Sequence, residues 1–430
     1  MLIETLFVLG LLFALLLGGV WIGLALFALG WATLTVFSDT LPGPLMANTT
    51  WGAASAWSLT ALPMFIWMGE ILTRSRVSED MFRGLVPWLN RLPGRLLHCN
   101  VVGCGIFAAI CGSSAATAAT IGRMTVPELT RRGYDDKMVI GSLAGSGTLG
   151  LMIPPSIMMI VYGITAEVSI ARLFIAGVLP GLMLIVMFSG FIAIWAWRNP
   201  SKVPNDDTRT TLREKLYASR LLIPTVILIV AIIGSIYTGV ATPTEAAALG
   251  VLGSLILSLV SGSMSLKVFW DSAMAAMRTS CMIGIIIASA GFLTTATAFI
   301  GLPAAIAQGI SDMGLSPGML ILVLTIIFII LGCFLDGVSM IVLTSAVLLP
   351  TVQAAGIDLI WFGIFVILVV EMAQITPPVG FNLFVLQALT GKDMFYVAKA
   401  TMPFFFLLLL AVVILWFAPW LATWLPQAML

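Results

Sequence analysis

Every proline between residues 112 and 190, namely Pro127, Pro154, Pro155 and Pro180, has a partner 223 positions later at Pro350, Pro377, Pro378 and Pro403, and that second window holds no others. Gly133 and Asp135 recur as Gly356 and Asp358 at the same offset. With proline at about 5% of ordinary composition, this register marks an internal duplication. Both copies carry a Pro-Pro pair inside strongly apolar sequence, where a helix must break. Doubled broken helices point to the binding site of a transporter.

Composition identifies the solvent around those breaks. The chain is 60% apolar and 9% charged, and Leu2 to Phe37 contains no Lys, Arg or His. Such a chain belongs in a bilayer. The first apolar run lacks a basic leader and exceeds the roughly 7–15 apolar residues of a signal peptide, so it reads as retained membrane helices. A net charge of +1 gives no reason to expect nucleic acid. Cys99, Cys104, Cys111, Cys281 and Cys333 all fall in apolar stretches without a CxxC pair and read as small core residues.

Spans are expected near 2–18, 20–37, 55–73, 137–165, 172–197, 221–238, 245–262, 279–299, 359–390 and 396–420. Residues 97–126 and 317–349 are interrupted by Gly112-Ser113-Ser114 and by Gly332 to Ser339, leaving arms of about 12–15 residues. A span needs about 20, so each stretch reads as a re-entrant hairpin. If both turn back, 19 of the 20 basic residues fall on one side of the membrane and only Arg172 on the other. The positive-inside rule makes the rich side cytoplasmic. Both termini then lie outside, the first hairpin enters from the cytoplasm, and the second enters from outside.

The expected fold is an all-α polytopic membrane protein built as an inverted repeat. Each copy has three scaffold helices, a hairpin, a broken helix and a closing helix, over residues 1–197 and 221–430, with a cytoplasmic linker at 198–220. Five crossings per copy is an odd number, so the second copy lies upside down, the basis of alternating access. Linker residues 209–220 are expected to form a short surface helix, and 77–92 an interfacial one. Trp416, Trp420 and Trp424 recur every four residues and are expected to line one helix face at the outer interface.

The chemistry gathers at the interruptions. GSSAATAATIG (112–122) lies at the first hairpin tip. Small residues there allow close packing, and a hairpin ending at mid-membrane also leaves main-chain groups that only protein or a water-filled cavity can satisfy. Hydroxyls and carbonyls together suit a hard cation such as sodium. In GSLAGSGTLGLMIPPS (141–156), four glycines and two prolines predict an unwound turn whose carbonyls face a cation, followed by a half-helix near Ser156 whose N-terminus faces an anion. Asp336 falls at the position of Ser113. An intramembrane aspartate costs roughly 2.5–3.5 kcal/mol and is a functional hypothesis by default; the alternative is a helix cap. Glu70 can pair with Arg74, and Glu371, just before the second break, is a weaker candidate ligand.

GSSAATAATIG, GTLGLMIPPS, TPTEAAALG (242–250) and ITPPVGFNLF (375–384), taken in order over the whole chain, resemble the large membrane subunit of TRAP transporters, the tripartite ATP-independent periplasmic family. The resemblance implies sodium-driven secondary uptake of an organic acid across the bacterial inner membrane. It implies two partners, a soluble periplasmic substrate-binding protein and a small four-helix membrane subunit, the latter expected as a separate chain. It also implies elevator motion of hairpins, broken helices and closing helices against the scaffold. On that analogy one sodium site uses Ser113, Ser114, Pro154 and the break around Gly145 and Ser146. A second uses Asp336, Gly337, Thr376 and Pro377. The substrate carboxylate lies near Thr148, Pro155, Ser156, Pro378 and Asn382.

A carboxylate entering a negative-inside cell climbs about 2.3 kcal/mol per charge per 100 mV. At least two sodium ions are therefore expected, and for a dianion a third ion or a proton before voltage helps. The rival classes are an intramembrane enzyme and an ion channel. His98 is the single histidine and HExxH is missing, which leaves no zinc pair. No GxxxxGK[ST] loop supports an ATP-driven pump.

Overall fold

The computed structural model describes residues 2–204, 211–312, 316–333, 335–377 and 380–429. Pro378 lies outside the described residues. Among the described residues all regular structure is helical, as lipid requires of a chain that must satisfy its own backbone hydrogen bonds.

The chain runs through α1 (Leu2–Leu17), α2 (Ile22–Phe37), α3 (Pro42–Ala54), α4 (Ala61–Thr73), α5 (Val77–Leu89), α6 (His98–Cys111), α7 (Ser114–Arg131), α8 (Asp136–Met152), α9 (Ile157–Thr165) and α10 (Ile170–Arg198). The short helix α11 (Leu212–Ser219) follows. Then come α12 (Ile223–Tyr237), α13 (Pro243–Val260), α14 (Leu266–Phe299), α15 (Leu302–Asp312), α16 (Pro317–Gly332), α17 (Gly337–Ala354), α18 (Leu359–Gln374), α19 (Phe381–Thr390) and α20 (Met394–Phe417), with α21 (Trp420–Met429) last. Taken singly, α10, α13, α14 and α20 are long and apolar enough to cross a membrane, and α8 with α9 forms an apolar pair bent by 42°.

The 223-residue offset has local physical causes. It carries α7 onto α17 at both ends. Asp135 Oδ1 accepts from the Met138 N–H at 3.1 Å, and Asp358 Oδ1 accepts from the Trp361 N–H at 2.8 Å, so the same cap starts α8 and α18. Gly133 (φ +81°) and Gly356 (φ +71°) make the turns before those caps, and a side chain at either would have open space around it. The left-handed backbone, rather than crowding, selects glycine there.

The match at this offset is not complete. The offset maps α3 and α4 onto the single helix α14, because the first copy breaks at residues 55–60. Pro63, in the first turn of α4, has no N–H to extend a helix from upstream, and its counterpart in α14 is Ile286.

Three further outcomes bear on the expectations. The helices at 77–89 and 212–219 form, the latter closed by a Thr211–Glu214 capping box. The three tryptophans do not share a helix: the chain breaks at 418–419, Trp416 packs edge-on against Trp361 at 5.8 Å, and Trp420 and Trp424 are exposed on α21. Cys99, Cys104 and Cys111 are buried and Cys333 is half-buried, but Cys281 is exposed.

Candidate functional site

α6 ends in Gly112, whose φ of +64° turns the chain, and Ser113 starts α7 by accepting from the Ala116 N–H at 3.5 Å. The tip is clamped to the α8–α9 break. The Gly112 carbonyl accepts from the Ile157 N–H at 3.3 Å. A Cβ on Gly112 would come within 2.8 Å of the Pro155 carbonyl oxygen, and one on Gly150 within 2.6 Å of the Ser113 carbonyl oxygen. Glycine at both positions is what allows two backbones to touch.

The break itself is shorter than the sequence implied. α8 continues through Gly141, Gly145, Ser146, Gly147 and Gly150 to Met152, and only residues 153–156, with the buried Pro154 and Pro155, are non-helical. Gly145 and Ser146 are therefore inside a helix, which corrects the expected unwinding there. A Cβ on Gly141 would collide with the Ala400 carbonyl oxygen, and one on Gly145 would meet Phe404 at 2.5 Å. These glycines let α8 pack tightly against α20. The Thr148 hydroxyl donates to the Gly145 carbonyl at 2.7 Å, so that oxygen is occupied by its own helix. Ser156 is buried and caps α9, accepting from the Met159 N–H at 3.5 Å. Together with the Ile157 bond to Gly112, this commits two of the first N–H groups of α9 to protein partners.

In the second copy Asp336 caps α17. Its carboxylate accepts from the N–H groups of Val338 at 3.1 Å and Ser339 at 3.3 Å, and from the Ser339 hydroxyl. The capping alternative is thus realised. Asp336 is nevertheless exposed, on the wall of a cavity of about 650 Å³ that both hairpin tips share. That cavity is lined by Ser113, Ser114, Asp336, Gly337, Ser339 and Gln374, with Leu151, Ile157 and Phe381 beside them. Its far wall is formed by the α1–α2 turn, residues 19–22, and by Thr279 to Ile286 of α14.

Asn382, at the start of α19, is fully buried, and its Oδ1 accepts from the Ser114 hydroxyl at 3.3 Å while its Nδ2 has no partner. This contact joins the first hairpin to the second broken helix. Thr376 and Pro377 end the α18 segment half-buried. The Thr376 hydroxyl donates to the Met372 carbonyl at 2.7 Å, and the Thr376 carbonyl accepts from the Gly380 N–H at 3.0 Å. Ser113, Ser114, Asp336 and Gly337 therefore converge on one cavity, whereas Thr148, Ser156 and Asn382 are buried behind its wall. Sequence reasoning passed over Ser339 and Gln374. Ser339 carried a usable signal, a hydroxyl three residues after a capping aspartate; Gln374 carried none.

A second cavity, of about 880 Å³, lies away from the first. It is lined by Thr49 to Ser58, by the α9–α10 connection around Glu167, by Thr242 to Thr244, by Thr294 and Thr295 of α14, and by Ser345 and Pro350 of α17. α4 touches the first hairpin at its tip: a Cβ on Gly69 would lie 3.0 Å from the Cys111 carbonyl oxygen, and the Thr73 hydroxyl is 4.0 Å from the Cys111 sulfur.

Residues 9–421 match the family described as the tripartite ATP-independent periplasmic transporter, DctM component. The chain is 34% identical over 372 residues to a C4-dicarboxylate TRAP transporter large permease protein of Pseudomonas aeruginosa, with 86% of each covered. It is also 34% identical over 396 residues to an ectoine/5-hydroxyectoine TRAP transporter large permease protein of Ruegeria pomeroyi, with 91% of each covered. The fold is similar to that of the Alcanivorax borkumensis YdaH transporter, with a TM-score of 0.64 over 96% of this chain and 98% of that one, at 11% identity.

Proposed function

The chain belongs to the DctM-component family of tripartite ATP-independent periplasmic transporters, a multi-pass membrane permease and not an enzyme, and from that premise we propose that it carries out sodium-coupled uptake of an organic acid. The observation that carries the reading is the shared cavity, where the two hairpin tips bring Ser113, Ser114, Asp336 and Ser339 together. Hydroxyl, carboxylate and main-chain oxygens suit a hard cation, and an aspartate held at mid-bilayer is costly without such a role.

In this reading residues 1–197 and 221–430 are the two inverted copies. The hairpins α6–α7 and α16–α17, the broken helices and the closing helices α10 and α20 move together against α1–α4 and α12–α14. One sodium site uses Ser113, Ser114 and the 153–156 break containing Pro154, with Gly145 and Ser146 as packing behind it. The other uses Asp336, Gly337, Thr376 and Pro377. The cargo carboxylate occupies the cavity between them, with Asn382 fixing the two halves and Thr148, Pro155 and Ser156 supporting the wall. With the basic-rich side cytoplasmic, the site cavity opens beside the α1–α2 turn on the inner side, and the second cavity faces the periplasm.

The C4-dicarboxylate permease makes a dicarboxylate one candidate cargo, and the ectoine permease shows how widely cargo varies among relatives. A periplasmic binding protein and a small membrane subunit complete the system in the inner membrane. Two sodium ions reverse the charge of a monoanion but only neutralise a dianion, and each uncompensated charge costs about 2.3 kcal/mol per 100 mV.

The test is uptake in proteoliposomes with the partner subunits. Asp336→Ala is expected to abolish sodium-dependent uptake while expression stays normal. Wild-type uptake in that variant would remove Asp336 from the site, and single-channel conductance in place of saturable counterflow would favour a channel.

A further inference from the structure

Glu371 is the one acidic side chain among the described residues that is fully buried, and neither of its carboxyl oxygens has a hydrogen-bond partner. It lies on α18 beside the Thr148 hydroxyl and the Met152 backbone at the end of α8. Thr148 and Glu371 are themselves 223 positions apart, so equivalent sites of the two copies meet where α8 and α18 pack together. The Thr148 hydroxyl proton is already given to Gly145.

The remaining titratable groups on the helices packed against α18 stand elsewhere. Asp136 and Lys137 are at the far end of α8, and Tyr162 of α9 donates to the Leu359 carbonyl at the other end of α18. Arg172 and Arg198 lie near the two ends of α10, while Tyr396 and Lys399 lie in the first turns of α20. Asp336 caps α17, which also packs against α18, and it faces the cavity. Among the described residues no printed ion pair involves Glu371, and an unpaired ion in so dry a place is strongly disfavoured.

The surroundings also discriminate between cations. Hard metal ions such as calcium and magnesium take six or more oxygen ligands, whereas among the described residues Glu371 belongs to no cluster of three or more His, Cys, Asp or Glu side chains that could hold a metal ion. A proton needs a single oxygen. The carboxyl is also only one layer behind the candidate site. Gln374, three residues on and so on the same helix face, lines the cavity, as does Leu151, the neighbour of Met152.

We propose that Glu371 is a proton-binding site of the transport cycle, exchanging its proton with the cavity past Gln374. Periplasmic water supplies the proton to one carboxyl oxygen and cytoplasmic water receives it, so each cycle moves one positive charge inward without changing the protein covalently. The inference rests on the uptake reading, and it supplies the third charge that a dianion cargo requires beyond two sodium ions.

Infrared spectroscopy of the purified chain at neutral pH tests it without any substrate. The carbonyl band of a protonated carboxyl is expected in the wild type, absent from Glu371→Gln, displaced in Glu371→Asp, and shifted when the wild type is moved into D2O. A wild type without the band, variants that leave it unchanged, or a band that does not shift in D2O would overturn the proposal. The uptake reading stands or falls separately, on the Asp336 transport assay.

Discussion

Ser113 and Asp336 stand 223 positions apart, each caps the second helix of its hairpin, and both line one cavity. The backbone role is the same at both and the charge differs. A hydroxyl is enough to cap α7, whereas α17 starts from a carboxylate that also faces the cavity.

Asp336→Asn separates those roles. Asparagine caps about as well as aspartate, so the melting temperature of the purified protein should stay near the wild-type value while sodium-dependent uptake falls at least tenfold. Asp336→Ala should additionally lose the cap, about 0.5–2 kcal/mol. If the asparagine variant transports normally, the carboxylate charge has no part in coupling.

The glycines of α8 should respond according to what faces them. Gly150→Ala sets a Cβ 2.6 Å from the Ser113 carbonyl oxygen and Gly145→Ala one 2.5 Å from Phe404, and overpacking of this kind costs about 1–3 kcal/mol. Gly284→Ala, within α14 with nothing inside 4 Å, should instead stabilise by about 0.5–1 kcal/mol. Thermal melting in detergent checks the order, and equal melting of all three variants would contradict the packing account.

The proposed sliding of the first hairpin past α4 can be tested at Thr73 and Cys111, whose side chains stand 4.0 Å apart. Thr73→Cys, with Cys111 kept and the other cysteines replaced, brings two thiols within disulfide reach. Mild oxidation should stop uptake, and reductant should restore it. Continued transport by fully cross-linked protein would rule out motion between α4 and the first hairpin.

Much of the architecture was readable because its signals are local. A Pro-Pro pair removes two successive N–H donors, so the Pro154-Pro155 break and the end of α18 at Gln374 were visible without a fold. Asp135 and Asp358 announced helix starts by the cap they form. The turns at Gly112 and Asp336 were visible from the small and polar residues that interrupt each apolar run, although α7 and α17 are 18 residues each, longer than the arms the sequence suggested.

Where the reading missed, a local preference was overruled by a neighbour distant in sequence. Glycine weakens an isolated helix, which suggested unwinding around Gly145 and Ser146; in the folded protein those glycines are the clearance that Phe404 and Ala400 require. The tryptophan spacing suggested one helix face, but the chain breaks at 418–419 and Trp416 turns inward against Trp361. Glu371 looked a weak candidate because sequence shows that a residue is acidic but not whether anything stands near enough to neutralise it.

Proline geometry, capping and hydrophobic length act within a few residues, so the 223-residue proline register, the lipid-compatible composition and the helix break at Pro154-Pro155 are legible in the sequence alone. Folding alone brings Ser114 to Asn382, sets Thr148 beside Glu371 and gives the two hairpin tips one cavity. Those pairings depend on how closely helices from opposite copies approach one another, which side-chain volume and glycine clearance settle across hundreds of residues.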